Sequence, residues 1–186
     1  MRLLASLSRD ETLDFLRKFV PLEIELAKEG KGQRFFAIDE LREVTLVPGL
    51  GVRLEGAARV RWPLLGLHVP VRAKSLVVLL RPEVVTRVGH PSLALSLSVE
   101  RADIAWSPTL VNDSVVERVN EGLLAHRAEV AWDFAKTLSH VFRLPDAVTS
   151  AATIGLEVAG GEFTVSEASI EFAVAFRAAV GGRDRG

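Results

Sequence analysis

The sequence predicts an α+β fold in which a long, highly curved antiparallel sheet wraps around one long amphipathic helix. Two observations predict this fold. Residues 112–143 carry apolar residues at helical spacing, on a face broad enough to be buried along its whole length. The segments before and after this stretch alternate apolar and polar residues, as half-buried strands do. Because strands follow the helix as well as precede it, we expect the sheet to close around it.

The first predicted element is a short helix over residues 9–19. Ser8 and Glu11 have the spacing of a capping box, in which each side chain bonds a backbone N–H at the start of the helix. Pro21 helps to end this helix. Strict alternation begins at once, so we expect the first strand over residues 20–26.

A long hairpin is predicted from residues 51–62 and 69–80, with its turn near Gly66. That register places two basic pairs opposite each other: Arg61 with Arg72, and Arg59 with Lys74. Like charges in this position are unfavourable unless water or an anion solvates them. We therefore expect the hairpin to contact a membrane surface or an anionic headgroup, unless its apolar tip folds back onto the core. The contact residues would be Arg59, Arg61, Trp62, Leu64, Leu65, Arg72 and Lys74.

The later strands are predicted from the same alternation. We expect strands over 93–99, 151–158, 163–165 and 170–176, a turn at Gly160-Gly161, and a disordered tail over 181–186. No repeat or low-complexity linker interrupts the pattern, so we expect one domain over residues 1–186.

Composition excludes several classes of function. The 186 residues include 23 basic and 24 acidic side chains, which gives a formal charge of −1 and no basic footprint for nucleic acid. There is no cysteine, and hence no disulfide, thiol nucleophile or cysteine-ligated metal. Hydrophobic residues make up 48% of the chain, mostly aliphatic, which predicts either a dense core or an aliphatic-lined cavity. We expect a cytoplasmic protein, or a periplasmic one if a leader has been removed.

No catalytic or metal site is predicted. His126, Asp133 and His140 share one face of the predicted helix, but a spacing of seven residues separates neighbours by about 10 Å, so one metal cannot bind them all. No glycine-rich phosphate loop precedes a helix. We therefore expect no enzyme activity, no cofactor and no metal.

The order of these patterns resembles a known superfamily. The segments that carry the resemblance are the short helix leading into 20–26, the apolar run 76–82, the strand 93–99, the helix 112–142 and the final strands from Gly161 to Phe176. Together they resemble a single module of the tubular lipid-binding (TULIP) superfamily, which includes the bactericidal/permeability-increasing proteins and the synaptotagmin-like mitochondrial lipid-binding domains. The resemblance covers nearly the whole chain.

The resemblance implies an elongated apolar groove between sheet and helix that binds or carries lipid acyl chains without catalysis. The partners implied are a lipid or fatty-acid-like ligand and a peripheral membrane contact. We expect the groove to be lined by Val130, Phe134, Leu138, Val141, Leu95, Leu97, Phe172, Val174 and Phe176. The same residues also suit an ordinary core.

Two other interpretations stay open. In the first, the helix fills the sheet completely, and the domain is a structural or assembly module that binds a protein partner through the hairpin tip at 62–67 or through a sheet edge. In the second, it is an enzyme of the helix-grip type, although the long helix of that fold comes last and strands follow the helix here. The sequence does not decide between a monomer and a homodimer.

Overall fold

A computed structural model describes residues 1–29, 32–64, 67–104, 109–125, 131–143 and 153–181. About 70% of these residues lie in strands and 20% in helices. In chain order the elements are β1 (Arg2–Ser8), α1 (Arg9–Arg17), β2 (Leu22–Glu29), β3 (Gly32–Val47), β4 (Gly51–Leu64), β5 (Leu67–Arg87), β6 (His90–Ile104), α2 (Thr109–Ala125), β7 (Ala131–Trp132), α3 (Phe134–Leu138), β8 (His140–Arg143), β9 (Thr153–Val165) and β10 (Ser169–Gly181).

The strands form two curled antiparallel sheets. The large sheet has six strands in the order β2-β3-β4-β5-β6-β7, so each strand pairs with its neighbour in sequence. The small sheet has four strands in the order β1-β10-β9-β8, which joins the first described strand of the chain to the last. The strand β1 was not predicted, because its run of leucines does not alternate with polar residues.

The prediction of one helix over residues 112–143 is wrong, and with it the predicted sheet around a long helix. The helix α2 ends at Ala125, and the later part of the segment forms β7, α3 and β8. Asp133 begins the separate short helix, where its carboxylate accepts the Lys136 N–H at 2.9 Å. Val141 and Phe142, both assigned to the predicted helix, lie on opposite faces of β8. Over stretches as short as β7, α3 and β8, the same apolar residues fit both the helical and the strand period. Their spacing alone therefore does not distinguish a helix from a strand.

The curvature of the large sheet comes from irregularities that lie side by side across its strands. The pairing register shifts twice between β3 and β4, near Asp39 and Arg42, and again between β4 and β5 after Gly56. The pairing register between β5 and β6 shifts at two further points. Each extra residue bends its strand and increases the local twist. The bends keep Leu41 and Val44 of β3 inside the curl, where both are buried.

The core lies on the inner face of the large sheet, beneath α2. Val119 and Leu123 of α2 are buried there against strand residues, and Leu13 and Leu16 of α1 pack onto the same cluster. The small sheet contributes Val165 and Ile170 to this cluster, from the end where β9 leads into β10. The buried strand residues of this cluster are Phe36, Ile38, Leu41, Val44, Leu46, Val52, Leu54, Ala58, Val60, Leu76, Val78, Val99, Ala102, Val165 and Ile170.

The predicted capping box is confirmed at the start of α1. The Ser8 hydroxyl accepts the Glu11 N–H at 3.3 Å, and the Glu11 carboxylate accepts the Ser8 N–H at 2.8 Å. That backbone bond, together with one from the Ser8 hydroxyl, holds the pKa of Glu11 below its ordinary value. The helix is two residues shorter than predicted, because it ends at Arg17 rather than residue 19.

Glu11→Gln is expected to lower the melting temperature at neutral pH and to lose this effect in acid. Because the folded-state pKa of Glu11 is lowered, the charge stabilises the fold above the ordinary glutamate pKa of about 4.3. This contribution disappears as the pH falls through the folded-state value. Thermal unfolding of parent and variant at neutral pH and at about pH 3 measures it. An equal difference at both values would contradict a role for the charge.

Candidate apolar ligand site

The pairing registers arrange one face of the small sheet as a series of rows across its strands. Paired residues of an antiparallel sheet share a face, so each row is fixed by the register. Beginning at the outer end, the rows are Phe142–Ile154–Val180, His140–Leu156–Ala178, Val158–Phe176, Gly161–Val174–Leu3, Phe163–Phe172–Ala5 and Val165–Ile170–Leu7. Apart from His140, every member of this face is apolar or glycine. The other face carries the charged residues of these strands, among them Glu157, Glu162 and Arg177.

On β9 and β10, the innermost row of this face is buried, and the outermost row includes strongly exposed side chains. Val165 and Ile170 are buried in the core cluster, and Val174 is 1% exposed. The outermost row is open, with Phe142 47% and Val180 74% exposed. The face therefore begins inside the protein and continues onto its surface. We call its three outer rows the apolar platform: Phe142, Ile154, Val180, His140, Leu156, Ala178, Val158 and Phe176.

An aromatic cluster covers the middle of the face. The rings of Phe134 and Phe172 meet edge to face with centroids 5.2 Å apart, and Trp132 lies 6.0 Å from the first and 6.1 Å from the second. Phe163 lies 6.4 Å from Phe172. Gly161 leaves the space for this packing, since a Cβ there would be 2.6 Å from the Phe134 ring. The predicted turn at Gly160-Gly161 is therefore wrong, because β9 continues through both glycines.

The predicted lining residues do not meet in one groove. Phe134 and Phe172 are in contact as predicted, but Phe134 is fully buried, as is Val174. Val141 lies on the opposite face of the small sheet, paired with Gly155. Among the others, Leu95 and Leu97 belong to the large sheet, Phe176 joins the apolar platform, Leu138 is half-buried in α3, and Val130 lies outside the described residues.

The space between the middle of α2 and the large sheet is nearly filled, whereas an open cleft of about 270 Å³ lies beside the end of this helix, lined by Arg81, Ser96, Leu97, Ser98, Asn120, Leu123 and Leu124. Described residues line a cavity of about 10 Å³ there, with walls that include Phe36, Leu76 and Val119. A volume of this size holds about one water molecule. This part of the interface has no room for an acyl chain.

A polar cleft of about 630 Å³ lies beside the platform, where α3 meets β9 and the start of β6. Its charged or titratable lining residues are His90, Asp133, Lys136 and Glu157. Asp133 already caps α3, and the Ser139 hydroxyl accepts the Val158 N–H at 3.1 Å. In the part of the chain that the structure describes, no three histidine or acidic side chains are grouped to hold a metal ion.

The predicted basic hairpin has a different register from the expected one. Arg59 lies opposite Arg72, and Arg61 lies opposite Pro70. Arg59 binds the Asp39 carboxylate at 2.7 Å, a hydrogen bond that raises the pKa of Arg59 above its usual value. The Arg61 guanidinium lies 5.1 Å from the centre of the Phe35 ring. The pairing of β4 with β5 is thus centred one position earlier than expected, and the charge of Arg59 is neutralised by Asp39.

The remaining hairpin residues leave the membrane prediction untested. Arg72 and Lys74 are exposed, and they pair with no carboxylate within the described ranges. Trp62 and Leu64 belong to β4 by their backbone, and Leu65 lies outside the described residues. The membrane or anion contact therefore stays a prediction. No described helix is long and apolar enough to cross a membrane.

Comparison with known proteins gives no family. No family model and no curated protein matches the chain. The resemblance to the tubular lipid-binding superfamily stays a prediction.

Most of the apolar platform was not predicted from the sequence. Ile154, Leu156 and Val158 alternate with Gly155 and Glu157, and this was the available signal for a strand with one apolar face. The missing information was the register with β8 and β10, which brings Phe142 and Val180 into the same row.

Proposed function

We propose that the protein binds a lipid acyl chain or a similar long apolar ligand on the apolar platform. The observation that supports this proposal is the continuity of one apolar sheet face from the core onto the surface. Its exposed end combines aliphatic and aromatic side chains, and its rows contain no acidic or basic side chain other than His140. A ligand held in this way is bound by burial of area, so the proposed role is binding or carriage without bond-making.

The platform suits a ligand of moderate affinity. Burial of each methylene contributes about 0.8 kcal/mol, so about eight buried methylenes contribute about 6 kcal/mol. That free energy corresponds to a dissociation constant in the range of tens of micromolar, before the cost of ordering the chain. The platform replaces the helix–sheet groove as the proposed location of the ligand, because the cavity beneath the middle of α2 holds only about one water molecule.

Phe142→Asp is expected to weaken binding of a fluorescent fatty acid at least about tenfold, since a carboxylate in the contact must be desolvated. Val141→Asp is the matched control, because its side chain is 65% exposed on the other face of the same strand. Titration of both variants with cis-parinaric acid measures the difference, and circular dichroism shows that both remain folded.

A parent protein that takes up no fatty acid, or an equal loss in both variants, would reject this site. Mass spectrometry of organic extracts from the purified protein gives a separate test, since a stoichiometric co-purified lipid would name the ligand class. A clean unliganded mass would favour the alternative, an assembly module whose partner is another protein.

A further inference from the structure

The outer strands of the two sheets differ in how their free edges are protected. Natural sheets protect exposed edges with charges, bulges, short strands or side-chain caps, because an unprotected edge pairs with another chain. On β2 the sequence carries four charged residues and a bulge after Glu25, and β8 has only four residues. The outer edge of β6 is covered in two places. The strand β7 pairs with it at Leu93, and the Asn120 side-chain amide accepts the Val99 N–H at 2.7 Å and donates to the Val99 carbonyl at 2.9 Å.

Apart from the charge of Arg2, the edge of β1 has none of these protections within the described structure. Its seven residues pair with β10 without a register shift, and it contains no proline and no acidic residue. Every residue of β1 is exposed, including Leu3 at 53%, Leu4 at 57% and Leu7 at 36%. An edge this regular and this apolar is a template for strand pairing.

The hydrogen bonds at the start of the chain show which backbone groups of β1 are free. The Met1 carbonyl accepts the Phe176 N–H at 2.8 Å, and the Met1 amino group donates to the Phe176 carbonyl at 3.2 Å. The backbone groups of Met1 therefore point towards β10. Bonding alternates along an antiparallel strand, and the backbone groups of Arg2, Leu4, Ser6 and Ser8 therefore face away from the sheet. Those of Ser8 are already used by α1: its N–H bonds Glu11, and its carbonyl accepts the Thr12 hydroxyl.

We propose that β1 pairs with β1 of a second copy of this chain, antiparallel and about a two-fold axis at Leu4. This register uses all the free backbone groups of the edge. Leu4 lies opposite Leu4 of the partner subunit, and Arg2 lies opposite Ser6 of the partner subunit. The two small sheets become one continuous sheet.

The side chains are also self-complementary in this register. Arg2 is opposed by a neutral serine, and its charge is already paired with Glu162 at 2.9 Å, so no like charges face each other. On the other face, Leu3 lies opposite Ala5 of the partner subunit, and the apolar rows of the two copies become continuous. A second copy therefore fits the edge in hydrogen bonding, charge and side-chain character at once.

A single cysteine at Leu4 tests the pairing directly, because the protein has no cysteine of its own. Directly paired residues have Cα atoms about 5.5 Å apart, which is within the range for a disulfide. We expect Leu4→Cys to form a disulfide-linked dimer under mild oxidation. Leu3→Cys is the matched control, since in this register the two introduced residues are offset along the strands by about 7 Å and do not meet.

Charge substitutions at the same position give a second measurement. In sedimentation experiments we expect Leu4→Lys alone and Leu4→Glu alone to weaken the parent dimer at least about tenfold, because each places like charges across the axis. Mixing the two variants is expected to restore a dimer that contains one of each, which also shows that both are folded. A monomeric parent, or a dimer that persists in both single variants, would overturn the proposal. Dimerisation does not depend on ligand binding, so the two proposals fail independently.

Discussion

Phe134→Ala is expected to lower the free energy of unfolding by about 3–5 kcal/mol, the usual cost of removing a fully buried phenylalanine. The ring is 0% exposed and contacts Trp132, Phe172 and the backbone at Gly161. It attaches the segment between β7 and β8 to the small sheet, and its loss leaves a cavity that rigid strands do not fill. Denaturant unfolding at equilibrium measures the change.

The control for this prediction is Phe142→Ala, the same substitution at a ring that is 47% exposed. Its expected cost is about 1 kcal/mol, since part of the ring is in water in the folded state. Equal costs at the two positions would show that Phe134 is not the anchor of this segment.

A double substitution tests the contact with Gly161 itself. Gly161→Ala is expected to destabilise the parent, because its Cβ meets the Phe134 ring at 2.6 Å. In the Phe134→Ala background the same change should cost little, because the new methyl group then occupies the space the ring has left. Additive costs would contradict the direct contact.

Gly56→Ala is expected to cost about 3 kcal/mol, at the upper end of the range for overpacking. A Cβ at Gly56 would overlap the Glu40 carbonyl oxygen and lie 3.0 Å from its carbon. Those are backbone atoms within the line of register shifts that bends the large sheet, so relief requires the curl itself to open. Equilibrium unfolding and the near-ultraviolet circular dichroism of the core both report the change.

The matched control is Gly160→Ala in β9, where an added Cβ meets no atom within 4 Å and the backbone is not in the left-handed region. This variant is expected to keep or slightly raise stability, because alanine loses less chain entropy on folding than glycine. If both glycine substitutions had the same small cost, the close backbone approach at Gly56 would not be needed for the fold.

The sequence by itself determined those features that depend on neighbouring residues. The Ser8–Glu11 capping box lies within one helical turn, so its pattern was sufficient to place the start of α1. The alternation in β4 to β6 similarly predicted an extended antiparallel hairpin and the strand over 93–99. The absence of cysteine is also read directly from the chain.

Only the tertiary structure decided the rest, because those features depend on contacts between residues far apart in sequence. The segment after Ala125 has apolar spacing that suits a helix, yet the pairing of Trp132 with Leu93 and the burial of Phe134 against Gly161 divide it into short elements. The apolar platform and the free edge of β1 arise in the same way, since the first strand pairs with the last. Local pattern states which residues are apolar, whereas register and packing decide which of them are buried and which remain exposed.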